Sequence, residues 1–114
     1  MSPVDIQKID GVIVLRPIGT GDLSLQLTRE DMTGFVENNS EALPMVVNLE
    51  SIRILQSSGV GLLFHFLTLA EKNQIRVGFI NATELVGKVL DVAGVEHLAQ
   101  VYKDLNEARA ALLG

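Results

Sequence analysis

The sequence has 114 residues, 47% of them hydrophobic and 20% charged, with a formal net charge of −5 at pH 7. This length and balance fit one globular domain with a single core and exclude a disordered chain. The acidic balance argues against a nucleic-acid surface, and the lack of cysteine excludes disulfides and thiolate metal sites.

The first part of the chain predicts a hairpin, a loop and a helix. Two β-prone runs, residues 6–10 and 12–17, are joined by an Asp-Gly turn signal, which is typical of a β-hairpin. Residues 18–22 are rich in glycine and predict a loop. Residues 28–31, Thr-Arg-Glu-Asp, match a capping box, so a helix should begin there and end at residues 38–40.

The rest of the chain alternates predicted strands and helices. In order, these are a strand at 45–49, a helix at 57–73, a strand at 76–80, a helix at 83–92 stopped by Gly94, a final strand ending near 101, and a helix at 105–113 capped by Asp104. Such alternation predicts an α/β fold with a small mixed β-sheet of four to five strands and about four α-helices. We expect one domain over residues 1–114, with right-handed crossovers placing helices on the sheet.

The segment Leu-Gln-Ser-Ser-Gly-Val-Gly at residues 55–61 carries the candidate chemistry. It lies where a strand leads into a helix N-terminus, whose free N–H groups and dipole suit an acceptor serine or a bound anion. Ser57 or Ser58 could simply cap the helix. However, one cap does not need two serines, and Gly59 and Gly61 each cost about 1 kcal/mol relative to alanine in a helix. We therefore expect a phosphate, a partner side chain or a neighbouring helix to approach this backbone closely.

Several motifs together resemble the STAS domain of bacterial anti-sigma factor antagonists. These are the strand at residues 46–50, the run at 54–62 with its Ser-Ser-Gly-Val-Gly signature, the later strand end at 80–81, and the helix end at 89–95. Upstream, residues 19–22, Gly-Thr-Gly-Asp, are similar to the family's Gly-x-Leu-Asp loop. The resemblance covers about residues 4–113 and implies an α/β STAS fold without catalytic activity, cofactor or metal.

The resemblance also implies roles for individual residues. Ser57 matches the phosphoacceptor, Ser58 the second hydroxyl, and Asp22 the loop carboxylate near the acceptor. The residues expected to bind a partner are Asp22, Gln56, Ser58, Gly59, Gly61, Phe64 and His65. The implied partner is an anti-sigma factor, often a serine protein kinase, with a serine phosphatase reversing the modification. We expect a monomer or weak dimer.

The sequence also fits two other functions. Gln56 stands where the family usually has aspartate, which favours a non-phosphorylated STAS interaction subunit of a transport or signalling complex. A small-ligand sensor is a further alternative, although the lysine of a P-loop is missing. A serine hydrolase is disfavoured because G-x-S-x-G is absent. His65 and His97 have no metal-site spacing, so we interpret them as solvated or locally bonded.

The sequence also bears on location. The longest nearly uncharged apolar run, residues 54–70, is too short and too interrupted by polar residues to span a bilayer. The first residues show no basic region followed by a long apolar run, so no signal peptide is visible. We therefore expect a cytoplasmic protein without membrane insertion.

Overall fold

The computed structural model describes residues 3–114, and residues 1–2 of the domain predicted over 1–114 lie outside the described residues. Five strands form one sheet in the order β1-β2-β3-β4-β5: β1 (Val4–Ile9), β2 (Val12–Pro17), β3 (Met45–Asn48), β4 (Val77–Ile80) and β5 (Gln100–Tyr102). Four α-helices accompany them within residues 3–114: α1 (Arg29–Glu37), α2 (Ser57–Lys72), α3 (Glu84–Ala93) and α4 (Leu105–Leu113). The predicted small mixed sheet with about four helices is confirmed.

The first two strands form the predicted hairpin. β1 pairs antiparallel with β2, and the two-residue loop between them has φ values of 47° at Asp10 and 90° at Gly11. A two-residue hairpin loop of type I′ matches the twist of the strands and needs positive φ at both of its residues. Asp-Gly tolerates this conformation. The local sequence therefore determines how the sheet begins.

The remaining strands run parallel and are added to the sheet in chain order. β2 pairs with β3, β3 with β4 and β4 with β5, all parallel. The crossovers between these parallel strands have the same hand, and each adds the next strand on the same side of the sheet. Their helices therefore lie on the same face of the sheet. Because β2 and β3 are parallel neighbours, the loops that follow them emerge side by side at one edge. This edge brings the glycine-rich loop at residues 18–22 to the start of α2.

Two hydrophobic layers cover the two faces of the sheet. The larger layer lies between the sheet and helices α1, α2 and α3, and its fully buried members include Phe66, Phe79 and Leu90. The smaller layer lies under α4, where Ala108 and Leu112 pack against Val12 and Val46. All four residues of β4 are buried, as the run Val-Gly-Phe-Ile predicts for a strand covered on both faces.

The helix ends agree with the sequence signals, except at α2. Thr28 forms the predicted capping box, Thr83 and Asp104 accept first-turn N–H groups, and Gly94 ends α3 in the left-handed conformation. In contrast, the N-cap of α2 is Gln56, whose side chain makes no capping hydrogen bond. The interpretation of Ser57 or Ser58 as the cap is wrong, since both already lie inside the helix.

Within residues 3–114, no helix combines the length and the apolar character needed to cross a bilayer.

Candidate functional site

A buried carboxylate joins the two loops that meet at the edge of the sheet. Asp22 is only 2% exposed, and its Oδ1 accepts a hydrogen bond of 2.6 Å from the backbone N–H of Gln56. Its Oδ2 accepts a hydrogen bond of 3.0 Å from the Ser24 N–H, and this bond caps a short 3₁₀ turn over Leu23–Leu25. Asp22 thus caps α2 from a different loop, in place of the side-chain cap that Gln56 does not supply.

Two hydroxyls complete the surroundings of this carboxylate. Asp22 Oδ2 accepts hydrogen bonds from the Ser24 hydroxyl and from the Ser58 hydroxyl, the latter at 3.2 Å. The two hydroxyl oxygens lie 2.8 Å apart. We refer to Asp22, Ser24 and Ser58 as the Asp22 cluster. It ties the first turn of α2 to the loop after β2.

The cluster lowers the pKa of Asp22. Burial by itself raises the pKa of this carboxyl, but the hydrogen bonds from the Ser24 hydroxyl, the Gln56 and Ser24 N–H groups and the Ser58 hydroxyl together outweigh it. The net result is a pKa below the ordinary value of 3.8. Asp22 is therefore a charged structural acceptor at neutral pH and does not serve as a proton donor.

This shift predicts how stability depends on pH. Because the folded-state pKa is depressed, the stability that Asp22 contributes is present above its ordinary value of 3.8 and is lost as the pH falls through the folded-state pKa. We expect the difference in unfolding free energy between wild type and Asp22→Asn to be constant near neutral pH and to shrink below pH 3.8. Urea titrations across the acid range measure it. A difference that does not shrink at acid pH would contradict the prediction.

The close approach expected at the two glycines occurs at Gly59 only. A Cβ added to Gly59 would overlap Asp22 Oδ1 and lie 2.8 Å from Leu55 Cδ1, whereas a Cβ on Gly61 would meet nothing within 4 Å. The group that approaches Gly59 belongs to the same chain. Gly59 and Asp22 are both buried, so in this conformation they shape the turn beneath the surface that a partner would meet. Gly61 is exposed on α2.

Ser57 differs from its neighbour. Both serines are exposed, but Ser57 is the first residue of α2, and its hydroxyl has no hydrogen bond within the part of the chain that the structure describes. It lies at the rim of an apolar groove of about 520 Å³ between α2 and α3, whose other lining residues are Val60, Leu85, Lys88, Val89, Val92 and Ala93. Leu85 is 60% exposed and Val92 81% exposed. These side chains form an open apolar surface beside a free hydroxyl.

The other residues predicted to bind a partner lie in different surroundings. Gln56 is exposed next to Ser57. Phe64 is half-buried and packs against the large core, so only part of its ring is available. His65 faces α1, where its Nδ1 lies 3.2 Å from the Arg29 guanidinium and its Nε2 lies 3.0 Å from the Thr33 hydroxyl. Arginine only donates, so Nδ1 is the acceptor. The interpretation of His65 as locally bonded is confirmed.

Two residues that sequence reasoning missed hold the site together. Ser24 belongs to the Asp22 cluster. Gln26 closes the loop after β2, since its carboxamide accepts the Gly19 N–H at 2.7 Å and donates to the carbonyls of Gly19 and Gly21 at 3.1 and 2.9 Å. The glycines marked this loop in the sequence, but no local pattern indicated which side chain would fill it.

Comparisons with known proteins agree with this architecture. The sequence model of the STAS domain matches residues 3–108. No curated protein sequence matches the chain. Among solved structures, the fold is similar to that of a Thermotoga maritima protein provisionally assigned as an anti-sigma factor antagonist. The TM-score is 0.84 at 15% identity, covering 97% of this chain and 95% of the other.

Two further structures resemble the chain. One is RsbS of Moorella thermoacetica with a serine-to-glutamate change, with TM-score 0.77, 18% identity, and coverage of 98% of this chain and 96% of the other. The second is the phosphorylated form of the Bacillus cell fate determinant SpoIIAA, with TM-score 0.68, 19% identity, and coverage of 95% and 97%. At these identities the likeness shows a shared fold, which confirms the expected STAS fold. Since the family model spans most of the chain, this protein belongs to the STAS domain family.

Proposed function

We propose that this STAS domain is an anti-sigma factor antagonist that acts in the cytoplasm, and that phosphorylation of Ser57 ends its complex with the anti-sigma factor. The observation that carries the proposal is the position of Ser57, a free and exposed hydroxyl at the rim of the apolar groove between α2 and α3. A modification there alters the docking surface directly, without any rearrangement of the core.

The groove supplies the attraction for a partner. Its lining is almost entirely apolar, and the exposed parts of Leu85 and Val92 would be removed from water in a complex. Lys88 is the single charged residue of the lining. A partner with an apolar ridge fits this surface, and no catalytic group of this chain is needed for such binding.

Phosphorylation would change this surface while leaving the fold intact. A phosphoserine carries a charge of about −1.5 to −2, which is costly to bury against apolar side chains. At the first residue of α2 the same charge is favoured by the helix dipole, and none of the helix's own first-turn residues is acidic. The Asp22 carboxylate at this end is already bonded to the Gln56 N–H and the Ser58 hydroxyl. The domain therefore stays folded and the interface weakens.

The family and the structural neighbours support the choice of partner class. The neighbours include an antagonist in its unphosphorylated form and the same protein in its phosphorylated form. We propose that the partner here is a serine-kinase anti-sigma factor, which phosphorylates Ser57, and that a serine phosphatase removes the phosphate. Unmodified protein would hold the anti-sigma factor and so release the sigma factor.

The test is a binding titration against each serine-kinase anti-sigma factor of the source organism. We expect Ser57→Asp to weaken the complex by at least about tenfold, because a fixed charge is placed at the apolar rim. Ser57→Ala should bind like wild type but accept no phosphate. Ser40→Asp is the matched control, since Ser40 is exposed and lies outside α2 and the groove. Equal affinity of wild type and Ser57→Asp would rule out the switch.

A second candidate is a STAS interaction subunit that is never phosphorylated. The exposed Gln56 favours it, because this side chain brings no charge and no capping hydrogen bond to the residue next to Ser57. One measurement distinguishes the two candidate functions: the intact mass of the protein purified from its own host. Absence of phosphate under every growth condition would favour the constitutive subunit.

A further inference from the structure

The two adjacent serines of the turn are both exposed, but only the Ser58 hydroxyl is hydrogen-bonded within the described residues. Successive residues of a helix point about 100° apart, so Ser57 and Ser58 cannot face the same way. Ser58 turns toward the buried carboxylate, with its hydroxyl 3.2 Å from Asp22 Oδ2 and 2.8 Å from the Ser24 hydroxyl. Ser57 turns toward the groove, and its hydroxyl has no partner among the described residues.

We infer that Ser24 is a positioning residue that selects which serine receives the phosphate, by holding the Ser58 hydroxyl against Asp22 and leaving Ser57 as the free hydroxyl. This inference rests on the proposed function and adds the basis of its site selection. Nothing in the sequence motif singles out Ser24, which lies 34 residues before Ser58.

The selection depends on which hydroxyl protons are already donated. Each hydroxyl has one proton to donate, and an ionised carboxylate only accepts. The Ser24 hydroxyl donates to Asp22, so the proton of Ser58 goes either to the Ser24 oxygen at 2.8 Å or to Asp22 Oδ2 at 3.2 Å, and the shorter distance favours Ser24. In both arrangements the Ser58 proton is already engaged inside the cluster. The proton of Ser57 is engaged by no group of residues 3–114.

Phosphoryl transfer is easier at a hydroxyl that is not already hydrogen-bonded within its own protein. The seryl oxygen forms a bond to the γ-phosphorus of a nucleoside triphosphate, the bond from that phosphorus to the bridging oxygen breaks, and the nucleoside diphosphate leaves. The hydroxyl proton passes to a base of the kinase. Ser58 would first have to give up its hydrogen bonds in the cluster, and its phosphate would then lie beside the Asp22 carboxylate. Ser57 has no such hydrogen bond to give up, and its side chain lines the groove.

Ser24 itself is held in place from two sides. Its N–H donates to Asp22 Oδ2 at 3.0 Å, so the backbone of the 3₁₀ turn keeps its side chain at the cluster. Ser24→Ala removes the hydroxyl and keeps this backbone hydrogen bond. The variant should therefore fold while releasing Ser58 from one of its two partners. Ser24→Thr restores a hydroxyl at the same position.

The experiment maps the phosphate on residues 53–72 by tandem mass spectrometry, using full-length protein expressed in its own host. In wild type we expect nearly all of the phosphate on Ser57, with a small measurable fraction on Ser58. In Ser24→Ala we expect the ratio of Ser58 to Ser57 phosphate to rise by about tenfold or more, the effect of losing one hydrogen bond within a charged cluster. Ser24→Thr should return the ratio to the wild-type value, and Ser40→Ala should leave it unchanged.

The outcomes separate the two proposals. Phosphate confined to Ser57 in Ser24→Ala, in protein whose thermal unfolding shows it to be folded, would overturn the role of Ser24 and leave the phosphorylation switch standing. Phosphate on neither serine in wild type would overturn both. A ratio that rises in Ser24→Ala and also stays high in Ser24→Thr would contradict the assignment, because the hydroxyl would not be the responsible group.

Discussion

Replacing Asp22 with alanine should lower the free energy of unfolding by about 3 kcal/mol, because a buried charged acceptor would be removed from several donors at once. The N–H groups of Gln56 and Ser24 would lose their partner inside the protein, and the Ser58 hydroxyl would lose its anchor. Urea unfolding at neutral pH, with the midpoint and slope fitted together, measures this change.

Asp104→Ala provides the matched control for Asp22→Ala. Asp104 also accepts a backbone N–H at the start of a helix, that of Glu107 at 2.9 Å, but it is exposed and joins no second loop. Its loss should cost about 1 kcal/mol, the usual effect of removing an N-cap. If the two variants were equally destabilised, the cluster would contribute no more than an ordinary cap.

The two glycines of α2 should respond to alanine in opposite directions. Gly59→Ala should destabilise the protein by about 1–3 kcal/mol, since the new methyl group would overlap Asp22 and lie 2.8 Å from Leu55. Gly61→Ala should stabilise it by about 0.5–1 kcal/mol, because the methyl group enters open space and alanine favours the helix. Thermal and urea unfolding of both variants measure the contrast.

A double substitution tests the cause of the Gly59 effect. In an Asp22→Ala background the carboxylate no longer occupies the space, so Gly59→Ala should cost less there than in wild type. Part of the cost should remain, because Leu55 still lies near the added methyl group. Strictly additive effects would show that the overlap with Asp22 is not what excludes a side chain at residue 59.

The sequence alone was sufficient for features whose interactions lie within a few residues of one another. The Asp10-Gly11 hairpin, the capping box at Thr28 and the left-handed Gly94 each depend on the conformation of a single turn. The residues concerned can therefore be recognised wherever they stand. The alternation of strands and helices predicted the α/β class for the same reason, since hydrophobic periodicity is a local property.

The interactions of the serine turn could not be predicted from the local sequence. Its sequence marked Ser57, Ser58 and the two glycines and left open whether a serine caps the helix, which the structure excludes. The cap comes from Asp22, 34 residues before Gln56. The sequence could not show that only Gly59 is closely approached, because the approaching atoms belong partly to another loop.

Local patterns in the chain were enough to predict the elements, their order and the motif that belongs to the STAS family. The Asp22 cluster, the hydrogen bonds of His65 to α1, and the groove that Ser57 shares with α3 arise from long-range packing. The order of the strands in the sheet explains this packing. The loops after β2 and β3 meet because those strands are parallel neighbours, and α2 and α3 are adjacent because both crossovers lie on one face. Which side chains then touch depends on packing across long sequence separations, which no local pattern encodes.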